Sequence, residues 1–130
     1  MKNFGIGIVG TGTVGCGVID SVKRHAKSYP VDLHIAKLCS RRSVQAEKYG
    51  LASIYTTDFN KLVSSPDVDI VVELIGGTDT AYNVVKSALL AGKHVVTANK
   101  ALIASKGKEL LDLAYQQNLC LYFEAAVGGA

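Results

Sequence analysis

The stretch that decides the fold is FGIGIVGTGTVG, residues 4–15. Its first half, residues 4–9, is a short apolar run that contains two glycines, and it predicts a buried first β-strand. Its second half, residues 10–15, has the spacing G-x-G-x-x-G. Because this motif follows a predicted strand and precedes a predicted helix, it favours a dinucleotide-binding turn over a glycine-rich turn without a ligand.

Each glycine of this motif has a separate physical role. Gly10 permits the tight turn, Gly12 lets the backbone approach a pyrophosphate closely, and Gly15 lets the helix pack against the strand. Free N–H groups at the start of the helix would face the phosphates. The other turn residues predicted to contact the cofactor are Thr11, Thr13 and Val14. No Gly-Lys-Ser/Thr sequence follows, which argues against a P-loop triphosphate site.

Downstream, short apolar runs alternate with amphipathic stretches. The apolar runs predict further strands at residues 33–39, 53–56, 70–75, 94–98 and 119–123. Helices are predicted at residues 14–28, 44–49, 82–91 and 106–117, with another after the third strand, where Thr57 is the expected cap and Asp58 lies in the first turn. This order predicts an α/β fold, namely a Rossmann-type doubly wound parallel sheet in three αβα layers, as a single domain over residues 1–130.

Composition excludes several classes of protein. The 130 residues are 48% hydrophobic and 19% charged, which suits a globular domain, and the net charge of +3 comes from scattered basic residues that do not indicate nucleic-acid binding. The opening apolar run is too short for a signal peptide or a membrane span. Cys16, Cys39 and Cys120 have neither disulfide-framework nor zinc-site spacing, so we expect reduced thiols in a cytoplasmic protein.

The end of the second predicted strand indicates which nucleotide is bound. NAD enzymes place an Asp or Glu there to bind the ribose hydroxyls, whereas this sequence reads LCSRRS over residues 38–43. The guanidinium groups of Arg41 and Arg42 suit a 2′-phosphate, with Arg41 the stronger candidate because it lies nearer the strand. The sequence therefore favours NADP, although use of NAD stays open and both arginines could simply be solvated loop residues.

Four segments together resemble homoserine dehydrogenase across essentially the whole chain. They are residues 10–15, VVELIGG at 71–77, GKHVVTANKAL at 92–102 and YFEAAVGG at 122–129. The resemblance implies interconversion of L-homoserine and L-aspartate 4-semialdehyde with NAD(P), in the biosynthesis of threonine, methionine and isoleucine. It also implies a homodimer for the full-length enzyme.

The same resemblance implies roles for residues near two strand ends. Lys100 corresponds to the family's lysine at the junction of cofactor and substrate and is the catalytic candidate, with a plain surface lysine as the alternative. Asn99 is expected to orient its loop. The cofactor contacts implied in this region are Ile75, Gly76, Gly77, Thr97, Ala98, Asn99 and Lys100. Glu73, inside an apolar strand, is expected to be a supporting residue with hydrogen-bond donors around it or a raised pKa.

The final segment resembles the family's monovalent cation site. The ligands implied are Glu124, Val127 and Gly129, and the alternative is a carboxylate that caps a glycine-rich turn. The family continues past this point with an aliphatic residue, a proline and a substrate and dimerisation region that holds its acid, its proton-transferring lysine and its substrate-carboxylate ligands. We therefore expect this chain, which reads Ala130 there, to be a fragment that binds NADP(H) but turns over homoserine negligibly.

Two other functions are compatible with the sequence. One is another NADP-dependent reductase with a Rossmann N-terminal half, such as a semialdehyde dehydrogenase or a dihydrodipicolinate-type reductase. A semialdehyde dehydrogenase would need a nucleophilic cysteine in a downstream domain, since Cys120 lies within a predicted strand. The other is a non-catalytic module that senses NADP.

Overall fold

The computed structural model describes residues 3–10 and 32–123 of the chain. Within them, six strands form one parallel sheet in the order β3-β2-β1-β4-β5-β6. The strands are β1 (Asn3–Val9), β2 (Asp32–Cys39), β3 (Tyr55–Thr56), β4 (Ile70–Glu73), β5 (His94–Thr97) and β6 (Leu121–Phe123). This is the strand order of a Rossmann sheet, which confirms the predicted fold class.

Four α-helices are described between these strands. They are α1 (Val44–Lys48), α2 (Phe59–Val63), α3 (Asp79–Leu90) and α4 (Lys100–Gln116). The helix predicted over residues 14–28 lies outside the described residues. The third strand is shorter than predicted because residues Ala52–Ile54 form a 3-10 turn before it.

β4 and β6 are also shorter than predicted, and helix starts differ from the sequence-based boundaries. Asp58, and not Thr57, caps α2, since its extended backbone lets its carboxylate accept the N–H of Asn60 at 2.9 Å. The last helix begins at Lys100 and not at residue 106, because the Asn99 side chain accepts the N–H of Leu102 at 3.0 Å. A polar cap sets such a start without leaving a trace in the apolar spacing.

The sheet is buried on both faces. On one face Val71 and Val95 belong to a core cluster that also includes residues of α2, α3 and α4. On the other face Val72 joins a second cluster with Ile8 and with Ala46 of α1. Burial on both sides explains why β4 reads as a continuous apolar run and not as an alternating one.

One row of the sheet marks its carboxyl edge. The Cα partners in this row are Thr56, Cys39, Val9, Glu73, Thr97 and Phe123, one from each strand in spatial order. The residue after each of these therefore leaves the sheet at the same edge. Residues that are far apart in sequence, such as Gly10, Ser40 and Leu74, begin their loops side by side.

Candidate functional site

A cleft of about 750 Å³ opens at this carboxyl edge, at the ends of β1, β2 and β4. Its described lining consists of Val9, Gly10, Cys39, Ser40, Arg41, Arg42, Val44, Thr57, Phe59, Leu74, Ile75, Gly76 and Thr80. The strand order changes direction between β1 and β4, since the chain extends to one side through β2 and to the other through β4. Open parallel sheets bind their ligands at this switch point.

Gly10 lies at the centre of the cleft and is the one residue of the glycine motif that the structure describes. Its backbone has φ +104°, and its N–H donates to the carbonyl of Cys39 at 2.8 Å. An added Cβ would lie 3.1 Å from the carbonyl carbon and oxygen of Leu74. Both the conformation and the close approach of the β4 loop therefore require glycine here.

The turn that follows β2 carries the two arginines on the adjacent wall of the cleft. We call residues 40–42 the 40–42 turn. The Ser40 hydroxyl donates to the carbonyl of Arg42 at 2.7 Å, and the Tyr55 hydroxyl donates to the carbonyl of Ser40 at 2.8 Å. Arg41 and Arg42 are exposed. The described lining of the cleft contains neither Asp nor Glu, so guanidinium groups are its charged groups.

The acid nearest in sequence to β3 is already engaged. One carboxylate oxygen of Asp58 accepts the N–H of Asn60 and so caps α2. Burial raises the pKa of the Cys39 thiol to about 11, with a smaller contribution from the negative charge of Asp58. Cys39 is therefore a neutral thiol in the wall of the cleft and is not an activated nucleophile.

A buried carboxylate joins the ends of β4 and β5 beside the cleft. Glu73 is 0% exposed, and its two oxygens accept the Thr97 hydroxyl at 2.5 Å and the Ile75 N–H at 2.7 Å. Burial raises the pKa of the Glu73 carboxyl, and hydrogen bonds from Thr97, Ile75 and Asn99 partly offset that rise. The expectation that a carboxyl group buried here finds hydrogen-bond donors or has a raised pKa is confirmed, and its supporting role stays a prediction.

Asn99 extends this network to the loop after β4. Its side-chain amide donates to the carbonyls of Ile75 at 3.2 Å and Gly77 at 2.5 Å, while its side-chain oxygen caps α4. Its own N–H donates to the Thr97 hydroxyl oxygen at 3.1 Å. Residues 75–77, which we call the 75–77 loop, are thus tied to the start of α4 by one side chain.

The predicted site residues fall into three groups. The cleft brings together Gly10, Arg41, Arg42, Ile75 and Gly76. A second group lies along the same edge beside the cleft without lining it: Gly77, Thr97, Ala98, Asn99 and Lys100. Within this group Thr97 is buried with its hydroxyl engaged, whereas Ala98 and Lys100 are exposed, Lys100 at the first position of α4. Residues 11–15, with the predicted cation ligands Glu124, Val127 and Gly129, lie outside the described residues.

Several lining residues were not predicted from the sequence. Phe59 and Thr80 lie on helices that reach the cleft from β3 and β4, and Thr57 precedes α2. Their only sequence signal is a position shortly after a strand of the sheet, which becomes informative once the strand order is known.

The strand order, the cleft at the switch point and the glycine at its centre define a dinucleotide-binding domain of the Rossmann class. The chain belongs to the family described as homoserine dehydrogenase, NAD binding domain, whose sequence model matches residues 10–124. It is therefore a nicotinamide-cofactor-binding domain.

Similar proteins and structures agree with this family. Homoserine dehydrogenase of Neisseria gonorrhoeae is 39% identical over 133 aligned residues, which cover 99% of this chain and 31% of that protein. The crystal structure of a homoserine dehydrogenase from Thiobacillus denitrificans superposes with a TM-score of 0.88 at 37% identity, covering 97% of this chain and 30% of that one. A hyperthermophilic archaeal homoserine dehydrogenase in complex with NADPH superposes with a TM-score of 0.79 at 27% identity, covering 94% of this chain and 44% of that one.

The chain thus spans about 31% of the length of the Neisseria relative. Among the helices in the described part of the chain, none is both long and apolar enough to cross a membrane.

Proposed function

We propose that this chain binds NADP(H) in the cleft at the switch point. The glycine turn that starts at Gly10 would hold the pyrophosphate, and the 40–42 turn would hold the 2′-phosphate of the adenosine ribose. Gly10 supports the first assignment because its positive φ and missing Cβ permit the tight turn against the β4 loop, where β1, β2 and that loop meet.

The observation that carries the preference for NADP is the chemistry of the wall after β2. Arg41 and Arg42 are exposed at the cleft, and no carboxylate lies among its described lining residues. A guanidinium group can donate two hydrogen bonds to one phosphate, whereas the ribose hydroxyls of NAD are usually bound by an acid.

The nicotinamide half of the cofactor would then lie toward β4 and β5. Ile75 and Gly76 line the cleft on that side, and the 75–77 loop is held by Asn99. Gly77, Thr97, Ala98 and Lys100 follow along the same edge. The exposed ammonium group of Lys100 would lie near the junction with the substrate, where a cation can orient the nicotinamide side or polarise a substrate oxygen.

In the whole protein, we propose that this domain serves the interconversion of L-homoserine and L-aspartate 4-semialdehyde. When bound, the nicotinamide supplies the hydride exchange, and this domain positions it. The family match favours this reaction over the other NADP-dependent reductases considered above. A homodimer, and a monovalent cation bound by Glu124, Val127 and Gly129, belong to the same proposal by resemblance to the family.

A fluorescence titration of the 130-residue chain with NADPH and NADH tests the nucleotide assignment. We expect Arg41→Ala to weaken NADPH binding by about 1.5–3 kcal/mol, the value of a hydrogen bond to a charged group, and to leave NADH binding nearly unchanged. Lys108→Ala is the matched control, since it removes one positive charge from a pair with Asp112 on α4. Equal losses for both nucleotides, or no loss in Arg41→Ala and Arg42→Ala alike, would reject a 2′-phosphate site here.

A further inference from the structure

Tyr55 supports the 40–42 turn from outside the cleft. It is the first residue of β3, at the edge of the sheet, and it is not among the described residues that line the cleft. Its ring is partly buried against the cluster that contains Ile8 and Leu38. The ring is therefore anchored in the core while its hydroxyl reaches the carbonyl of Ser40 at 2.8 Å.

Three hydrogen bonds hold the backbone of the 40–42 turn. The Tyr55 hydroxyl donates to the Ser40 carbonyl, the Ser40 N–H donates to the Thr56 carbonyl at 3.3 Å, and the Ser40 hydroxyl donates to the Arg42 carbonyl at 2.7 Å. Two of the three involve β3, a strand of only two residues that pairs with the end of β2. The turn is thus fixed before any ligand arrives.

This arrangement matters because neither arginine side chain contacts a partner among the described residues. Arg41 and Arg42 are exposed, so each must lose side-chain entropy when it binds a phosphate. A backbone already held in place limits that loss to the side chains, and this is the only preorganisation that the described contacts give these arginines. A mobile turn would add its own ordering to the cost of binding the 2′-phosphate but would change little at the pyrophosphate.

We propose that Tyr55 is a positioning residue for nucleotide selectivity, which holds the 40–42 turn so that Arg41 and Arg42 meet the 2′-phosphate of NADP(H). The inference rests on the proposed function, because it needs the 2′-phosphate to bind at this turn. It adds a residue that no glycine or arginine motif would reveal and that is not among the described residues lining the cleft.

The test compares Tyr55→Phe with wild type in fluorescence titrations with NADPH and NADH. The substitution removes one hydroxyl and keeps the ring in the core. We expect the Kd for NADPH to rise about two- to tenfold, which corresponds to one net hydrogen bond, and the Kd for NADH to stay unchanged. Tyr115→Phe is the control, since Tyr115 is 87% exposed on α4 and should change neither Kd.

A second variant and a reference variant make the outcome decisive. Ser40→Ala removes the bond to the Arg42 carbonyl without touching β3, and it should give the same selective loss. An unchanged Kd for NADPH in Tyr55→Phe, or equal increases for both nucleotides, overturns the inference. If the double variant R41A/R42A abolishes the preference for NADPH over NADH while Tyr55→Phe keeps it, only the inference about Tyr55 fails. If R41A/R42A also keeps that preference, the proposed 2′-phosphate site itself fails.

Discussion

The network around Asn99 leads to a prediction that separates two uses of one side chain. The side-chain oxygen of Asn99 caps α4, and its amide donates to the 75–77 loop. Asn99→Ala removes both functions, whereas Asn99→Ser keeps an oxygen that can accept the Leu102 N–H and removes the amide donor. Serine and asparagine are about equally good at the N-cap position.

The expected losses follow from these contacts. Loss of the cap costs about 1 kcal/mol of unfolding free energy. Loss of the hydrogen bond to the half-buried Ile75 carbonyl costs about 1 kcal/mol more. The exposed Gly77 carbonyl can accept a hydrogen bond from water instead, so its loss adds no cost. We therefore expect Asn99→Ala to lower the free energy of unfolding by about 2 kcal/mol and Asn99→Ser by about 1 kcal/mol.

Urea unfolding followed by far-UV circular dichroism measures these differences. Asn83→Ala is the control, because Asn83 is exposed within α3 and has neither cap nor loop contact in the described structure; its effect should stay within about 0.5 kcal/mol. Asn99→Ser should also weaken NADPH and NADH equally, since the 75–77 loop lies away from the proposed 2′-phosphate site on the 40–42 turn. The reasoning is refuted if Asn99→Ser is as unstable as Asn99→Ala, or if Asn99→Ala matches wild type.

Three further predictions concern buried groups and the central glycine. Because burial raises the pKa of Glu73, the folded protein keeps this carboxyl protonated at pH values where the unfolded chain has lost the proton. The contribution of Glu73 to the free energy of unfolding is therefore full below about pH 4.3 and falls as pH rises through the raised pKa. In urea unfolding, the stability of wild type relative to Glu73→Gln should shrink with rising pH, and an increase in that difference would contradict this. In a Cys16→Ser background, mass spectrometry should find iodoacetamide on the exposed Cys120 well before Cys39, whose thiol has a pKa of about 11, and equal labelling would contradict the burial argument. Gly10→Ala should lower the free energy of unfolding in urea by about 1–3 kcal/mol and weaken the binding of both nucleotides. The loss of stability should exceed that of the control Gly92→Ala, because Gly92 also has a positive φ but an added Cβ there would meet open space. Equal losses of stability would count against the contact with Leu74.

Much of the sheet could be predicted because its signals are local. The apolar runs of β1, β2, β4 and β5 follow from burial on both faces, and a residue one or two positions after a buried strand, such as Gly10 or Arg41, is already a candidate for the carboxyl edge. Which strand ends are neighbours depends on the strand order, which the alternation of strands and helices and the glycine motif predicted only as part of the Rossmann fold class.

The supporting contacts could not be predicted, because they join residues that no pattern connects. The bond from Tyr55 to Ser40 spans 15 positions, and the bond from Thr97 to Glu73 spans 24. Helix starts were wrong for a related reason: apolar periodicity describes the face of α4 that packs on the sheet, whereas its first residue is set by the cap at Asn99. Such polar contacts depend on which residues the folded backbone brings within hydrogen-bond distance, and the spacing of apolar residues does not encode this.

The two ends of the cleft are built in different ways, and this decides what substitutions there should do. Toward β5, the supports are Glu73, Thr97 and Asn99, which are buried or half-buried and hold strand and helix ends, so their loss should reduce stability first. Toward β3, the proposed phosphate-binding groups are exposed arginines on a turn held by Tyr55, so losses there should change selectivity more than stability. The 40–42 turn follows β2, and the end of β5 lies three strand spacings from β2, about 14 Å; effects at such separations are usually additive. On the proposed assignment, nucleotide preference can therefore change at the β3 end without disturbing the network of Glu73, Thr97 and Asn99.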